Sequence, residues 1–151
     1  MSYVVGEKPS ANSCIFCDLP DRGTPRDDLV LSADEHVVVM MNRYPYNNGH
    51  IMVAPRAHTA DMDLIEGPAY AALNETVRRA ASVLRDALTP DGMNIGLNLG
   101  RTAGAGIDSH LHWHLVPRWD GDTNFMPVIG ETKVMPQHLS ESFDLLAPYF
   151  R

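Results

Sequence analysis

Two short apolar runs, residues 36–41 (HVVVMM) and 51–54 (IMVA), are rich in β-branched side chains and predict strands. Between them lies Asn42-Arg43-Tyr44-Pro45-Tyr46-Asn47-Asn48-Gly49, a stretch of turn residues, so the two strands are expected to pair antiparallel. Past Pro68 the period changes. Leu73, Val77, Ala80, Ala81, Leu84, Ala87 and Leu88 recur at helical spacing, with Asn74, Glu75, Arg78, Arg79, Ser82, Arg85 and Asp86 on the opposite side. Thr89-Pro90-Asp91-Gly92 ends this helix. Residues 93–99 (MNIGLNL) and 111–116 (LHWHLV) predict two further strands, joined by a Gly-rich stretch over 100–106. Leu139, Phe143 and Leu146 predict a short C-terminal helix. Residues 18–28, with Asp18, Pro20, Asp21, Gly23, Pro25, Asp27 and Asp28, predict a solvated loop, and the polar residues 1–13 a flexible tail. The sum is an α+β fold: a mainly antiparallel sheet of about five strands with one long and one short helix.

The length of 151 residues fits one domain over 1–151. Twelve Lys and Arg against 19 Asp and Glu give a formal charge of -7, which argues against a nucleic-acid coat but not against a small anionic ligand met by local donors. No apolar run approaches the length of a membrane span, and the first residues lack a basic segment followed by an apolar one. A cytoplasmic, reducing location is therefore expected. There the single C-x-x-C, Cys14 and Cys17, points to a metal or redox motif more than to a structural disulfide.

Three of the seven His fall within five residues, in Asp108-Ser109-His110-Leu111-His112-Trp113-His114-Leu115-Val116-Pro117-Arg118-Trp119. On a strand, His110, His112 and His114 would share one face, about 6.6 Å apart in sequence order, and Leu111, Trp113 and Leu115 the core face. Three uses are open to such a row. It could be a solvated face, a three-His catalytic zinc site with an open position, or a covalent catalyst in which one imidazole nitrogen attacks phosphorus while a neighbour orients the ring. A neutral imidazole is nucleophilic near pH 7 without a strong base. A flanking His can donate to phosphate oxygens as charge shifts.

The row His-apolar-His-apolar-His-apolar-apolar, here 110–116, resembles the motif of the histidine triad (HIT) superfamily. Asn47-Asn48-Gly49-His50-Ile51-Met52-Val53-Ala54-Pro55-Arg56-Ala57-His58 resembles the family's second block, a Gly-His followed by a strand, Pro, and His three residues on. The resemblance runs from Cys14 to about Leu146. It implies a HIT-like fold and a nucleotide hydrolase or transferase that works through a nucleotidyl-histidine. The middle triad residue, His112, would be the nucleophile, with His114 and His50 supporting it. In zinc-containing members a similar C-x-x-C joins two His. That implies a closed structural zinc site of Cys14, Cys17, His58 and His110, and it makes a catalytic three-His metal less apt, since His110 cannot serve both. Many members carry Gln four residues before the first triad His. Here that position is Gly106, which sets the chain apart from the ordinary hydrolases and phosphoramidases.

A narrower resemblance, to bacterial diadenosine tetraphosphate phosphorylases of this superfamily, rests on Tyr44-Pro45-Tyr46-Asn47, Gly96-Leu97-Asn98-Leu99-Gly100, Ala103-Gly104, and Pro117-Arg118-Trp119 with Gly121-Asp122 and Asn124-Phe125. It implies inorganic phosphate as co-substrate. It also implies Asn42 on the ribose and Asn98 at the α-phosphate, whose alternative is a turn cap. Gly104 and Gly106 would lie in the phosphate loop, although a Gly-rich stretch between strands is often only a turn. Arg118 is expected on a distal phosphate or bracing the strand end, and Trp119 stacked on a base or partly buried. Met41, Met52 and Met62 are expected to fill the core, and His36 and His138 to lie at the surface. The family usually forms homodimers. The rival readings are a HIT-type dinucleotide hydrolase or phosphoramidase, a zinc-stabilised nucleotide-binding module without turnover, and a zinc hydrolase.

Overall fold

The computed structural model of the protein describes residues 13–122 and 139–151. The tail expected over 1–13 (save Ser13), the Asn124-Phe125 pair and His138 lie outside the described residues. Five strands form one antiparallel sheet: β1 (Val30–Ala33), β2 (Val37–Met41), β3 (Ile51–Pro55), β4 (Gly92–Leu97) and β5 (Trp113–Arg118), in the spatial order β1-β2-β3-β5-β4. The helices are α1 (Ile15–Asp18), α2 (Pro25–Asp28), α3 (Gly67–Leu88) and α4 (Leu139–Leu146). The expected α+β architecture is therefore present. Three corrections apply to its margins. The stretch expected as loop over 18–28 contains the single turn α2, and β1 is a strand that the β-branched runs did not reveal because Leu29-Val30-Leu31 is too short to show a period. The triad strand also starts later than expected, at Trp113, so that His110 and His112 lie just ahead of it.

The centre of the sheet is covered on both faces, and every residue of β2 and β3 is buried. Alternation divides their side chains cleanly. Val37, Val39, Met41, Ile51 and Val53 face the long helix together with Leu111, Trp113 and Leu115. Val38, Met40, Met52 and Ala54 face the other way and pack against Phe16 and Cys14 of the C-x-x-C segment. Met41 and Met52 are core residues, as expected, and Met62 is partly buried against the same core.

The long helix follows the expected stripe. Leu73, Ala80 and Leu84 are fully buried and Val83 joins them, while Arg78, Arg79 and Arg85 stay outside. Pro68 sits in its first turn, where a missing N–H costs nothing. Thr89 adopts a left-handed conformation at the C-cap before Pro90. Truncating Leu84 to Ala would leave a cavity under the sheet and cost about 2–5 kcal/mol. The β2–β3 connection closes on Gly49, whose φ of +75° suits glycine; a Cβ there would run into Leu88 of the helix. That close approach pins His50, the next residue, at the mouth of β3.

Candidate active site and metal centre

The histidines lie on the face away from α3. Leu111 N–H donates to the Thr59 carbonyl at 2.7 Å, tying the segment before β5 to the chain beyond β3. Leu111, Trp113 and Leu115 turn into the main core and leave His110, His112 and His114 on the other face, as strand alternation demands. In the β3–β5 ladder His114 stands opposite Met52, so His50, two residues before Met52, comes beside it.

Partner chemistry assigns each ring. A carbonyl can only accept and a backbone N–H can only donate. His112 Nδ1 lies 2.9 Å from the His110 carbonyl, so Nδ1 carries the proton and Nε2 keeps its lone pair. Tyr46 N–H donates to His50 Nδ1 at 3.0 Å, so His50 bears its proton on Nε2. That Nε2–H then donates to His114 Nδ1 at 2.8 Å, which leaves His114 a proton on its own Nε2. The pair thus has one nitrogen with a free lone pair and one N–H, with the His112 and His114 rings 4.8 Å apart and 67° inclined. Tyr46 packs over the support, its ring 4.4 Å from His50 and 5.7 Å from His114.

Burial keeps these rings neutral. Desolvation lowers the pKa of His112, against the opposing pull of its bond to the His110 carbonyl. His114 is pushed down to about 4, first by desolvation and then by charge on His112. Neutral imidazole is the form in which one ring can attack and the other can donate.

His110 is turned the opposite way. Its Nε2–H donates to the Pro55 carbonyl at 2.8 Å, so Nδ1 bears the lone pair. That Nδ1 lies 3.3 Å from Cys14 Sγ, 3.5 Å from Cys17 Sγ and 3.2 Å from His58 Nδ1, while Cys17 Sγ is 3.4 Å from His58 Nδ1. All four ligand atoms fall within 4.8 Å of one another. Zinc–sulfur and zinc–nitrogen bonds of about 2.3 and 2.0 Å give tetrahedral edges of about 3.3–3.8 Å, and the four spacings of 3.2–3.5 Å lie close to those edges. The charge argument agrees. Without a cation, burial, the hydrogen bond with Cys14 and repulsion from Cys14 push the Cys17 thiol up to about 11. Two thiolates side by side require a positive centre. The Cys14, Cys17, His58 and His110 set is thus assembled for a metal, with Pro55 fixing the His110 tautomer from behind.

The expected substrate residues divide. Asn42 lies at the end of β2, its Oδ1 accepting from Tyr44 N–H at 2.8 Å. Asn98 reaches Gly104; a Cβ on that glycine would sit 3.6 Å from Asn98 Nδ2. The Gly-rich stretch folds into a 3-10 turn over Arg101–Ala103 between Gly100 and Gly104. The N–H groups of Ala103, Gly104 and Ala105 already donate to carbonyls inside it. Gly106 is exposed, with open space where a side chain would go. Arg118 donates through Nε and one terminal nitrogen to Asp122, at 2.7 and 2.9 Å, and through the other to Asn94 Oδ1 at 2.9 Å. Asp122 also accepts from Asn47 Nδ2 and Trp119 N–H. Of the two uses expected of Arg118, the geometry displays the brace. Trp119 is partly buried at this corner.

Four contributors stood in the quoted sequence blocks without a role. Pro55 acts through its carbonyl and Tyr46 through its N–H as well as its ring, and no side-chain motif reports a backbone group. Asp122 and Asn47 form a corner 75 residues apart in sequence.

Residues 24–121 match the family described as HIT domain. Over 132 residues the chain is 39% identical to a protein of Mycobacterium tuberculosis named AP-4-A phosphorylase, covering 87% of this chain and 67% of that protein. A zinc-bound histidine triad family protein from Mycobacterium smegmatis superimposes with a TM-score of 0.69 at 27% identity, over 91% of this chain and 93% of that one. A hypothetical histidine triad nucleotide-binding protein from Sulfolobus tokodaii superimposes with a TM-score of 0.66 at 26% identity, over 91% and 89%.

Proposed function

The chain belongs to the HIT family and is a nucleotide phosphorylase or hydrolase, and from that premise we propose that it cleaves dinucleoside polyphosphates such as diadenosine tetraphosphate by phosphorolysis. The observation that carries the covalent step is the pinned tautomer of His112, which leaves Nε2 unprotonated. In the first step the Nε2 lone pair forms an N–P bond to the α-phosphorus, and the bond from that phosphorus to the bridging oxygen breaks. The leaving polyphosphate takes the electron pair, and the intermediate is a nucleotidyl-His112. His114 Nε2–H donates to a nonbridging oxygen as charge builds there, held in that role by His50. In the second step an oxygen of inorganic phosphate attacks the same phosphorus, the N–P bond breaks, and the pair returns to Nε2. Diadenosine tetraphosphate then yields ATP in the first step and ADP in the second.

Support for the substrate comes from the relative named AP-4-A phosphorylase. Asn42 is assigned to the ribose, Asn98 with Gly104 and Gly106 to the phosphates, and Trp119 to a base. Arg118 acts on this site by holding the Asp122 corner in place. Zinc is assigned to Cys14, Cys17, His58 and His110, where it is structural, since four protein ligands leave no open position. We assign residues 1–151 to one HIT domain and the enzyme to the cytoplasm. No helix among the described residues is long and apolar enough to cross a membrane. We also assign it a homodimer. β4 is an edge strand whose outer side pairs with no strand among the described residues, and its Ile95 is 47% exposed.

Product analysis with and without inorganic phosphate tests the reaction. Phosphorolysis gives ADP and ATP and needs phosphate. A dinucleotide hydrolase gives AMP and ATP without it, and that result would overturn the co-substrate assignment. Nucleotide binding with no product at all would identify a binding module instead.

A further inference from the structure

One fully buried aromatic touches both histidine groups and has no part in the chemistry above. Phe16 stands between the two cysteines in sequence, on the single turn α1. Its ring centroid is 5.0 Å from that of His110, inclined 43°, and 5.0 Å from that of His112, inclined 31°. His112 is therefore covered by Phe16 while His114 stands against it at 4.8 Å. The one hydrogen bond to the His110 carbonyl fixes the position of Nδ1 but not the tilt of the ring, because the outer torsion of a histidine is a broad well. A tight aromatic neighbour supplies what that bond lacks. The turn that carries Phe16 is in turn held by cysteines on either side, whose sulfurs converge on the His110 nitrogen.

We propose that Phe16 is a positioning residue for the nucleophile: the C-x-x-C turn, gathered at the metal centre, presses the phenyl ring against the His112 imidazole and keeps its Nε2 aimed at the substrate. Phe16 never touches the reacting atoms. Its effect falls on the frequency with which His112 is in line, so it acts on kcat and leaves substrate binding alone. A misplacement near 1 Å at a reacting atom costs about 100-fold in rate. The inference rests on the reading of His112 as the nucleophile.

The test compares metal-loaded wild type with Phe16→Ala and Phe16→Leu. Three quantities are measured: metal per chain, kcat and KM for diadenosine tetraphosphate, and the imidazole nitrogen resonances of His112 in substrate-free protein. For Phe16→Ala the expected result is a full equivalent of metal, KM within about twofold, kcat lower by about 10- to 100-fold, and a His112 Nδ1–H resonance broadened by ring motion. Phe16→Leu restores part of kcat and part of the sharp resonance. Wild-type kcat together with a sharp His112 resonance in Phe16→Ala would overturn the proposal. So would a loss of kcat that tracks lost metal, with the loaded molecules fully active. If Phe16→Ala does not fold, Phe16→Leu decides by the same readouts: a wild-type resonance and kcat there overturn it. If the wild type turns over no dinucleoside polyphosphate, the substrate reading fails, while the His112 resonances still decide the role of Phe16.

Discussion

His110 and His112 are two residues apart, both buried, and both hydrogen-bonded to a backbone carbonyl, yet their surroundings turn the rings in opposite senses. Around His110 the Pro55 carbonyl takes the Nε2 proton, and the free Nδ1 meets two sulfurs and a second imidazole. Around His112 the His110 carbonyl takes the Nδ1 proton, and Nε2 keeps its lone pair. The first region turns four donor atoms toward one another and suits a closed metal site. The second keeps one lone pair and one N–H unassigned within the His112–His114 pair. In the proposed roles, which nitrogen a carbonyl claims thus separates structure from catalysis on one short segment.

The sharpest way to break this contrast is His112→Ala. Turnover is expected to fall by about 10⁴-fold or more with the circular dichroism spectrum and metal content unchanged. Retained activity would remove His112 from the chemistry. His114→Ala removes one positioned donor and is expected to cost about 10²- to 10³-fold in kcat. His50→Ala frees the His114 tautomer without touching substrate, so a smaller loss of about 10- to 100-fold is expected, with KM little changed.

On the metal side, Cys17→Ser and prolonged chelation are expected to remove the ion and lower the melting temperature. A zinc hydrolase would instead lose activity on chelation while its melting temperature held. Purified protein is expected to carry about one zinc per chain. Less than a tenth of an equivalent, with no loss of stability on chelation, would contradict the assignment.

The pH dependence follows from the neutral rings. His114, with its pKa near 4 instead of 6.5, binds fewer protons folded than unfolded between those values. Its contribution to stability is therefore complete above 6.5 and lost as the pH falls toward about 4. Likewise kcat/KM should hold its plateau through 6.5 and fall only on approach to about 4, with metal content followed in parallel. An acid limb centred at 6.5 would show that the rings are not desolvated. The smallest expected effect is at the β4 edge, where the proposed homodimer predicts that Ile95→Lys yields monomers by sedimentation and changes kcat little.

How much of this was legible beforehand depends on the kind of signal. Helical spacing carried the long helix and the C-terminal helix, because burial on one face imposes it, while the sheet centre, buried on both faces, was legible only as β-branched apolar runs. Alternation carried the shared face of His110, His112 and His114, even though the ladder itself begins only at Trp113. Family resemblance named the four metal ligands, and their donor atoms converge as that set requires. Three things lay outside such reach. The tautomers depend on carbonyls of Pro55 and His110, which every residue possesses. The inward hydrogen bonds of the 100–105 turn depend on backbone conformation, so a Gly-rich stretch alone does not disclose a phosphate cradle. Phe16 reads as an ordinary core residue until its two imidazole neighbours are seen.

The central claim is that Nε2 of His112 becomes covalently nucleotidylated. A rapid alkaline quench of protein mixed with diadenosine tetraphosphate in the absence of phosphate, followed by peptide mass spectrometry, tests it most directly. One adenylyl group is expected on the peptide spanning the triad, localised to His112 and discharged on adding phosphate. An adenylyl group on His110 or His114, or products forming at full rate with no adduct at His112, would contradict it.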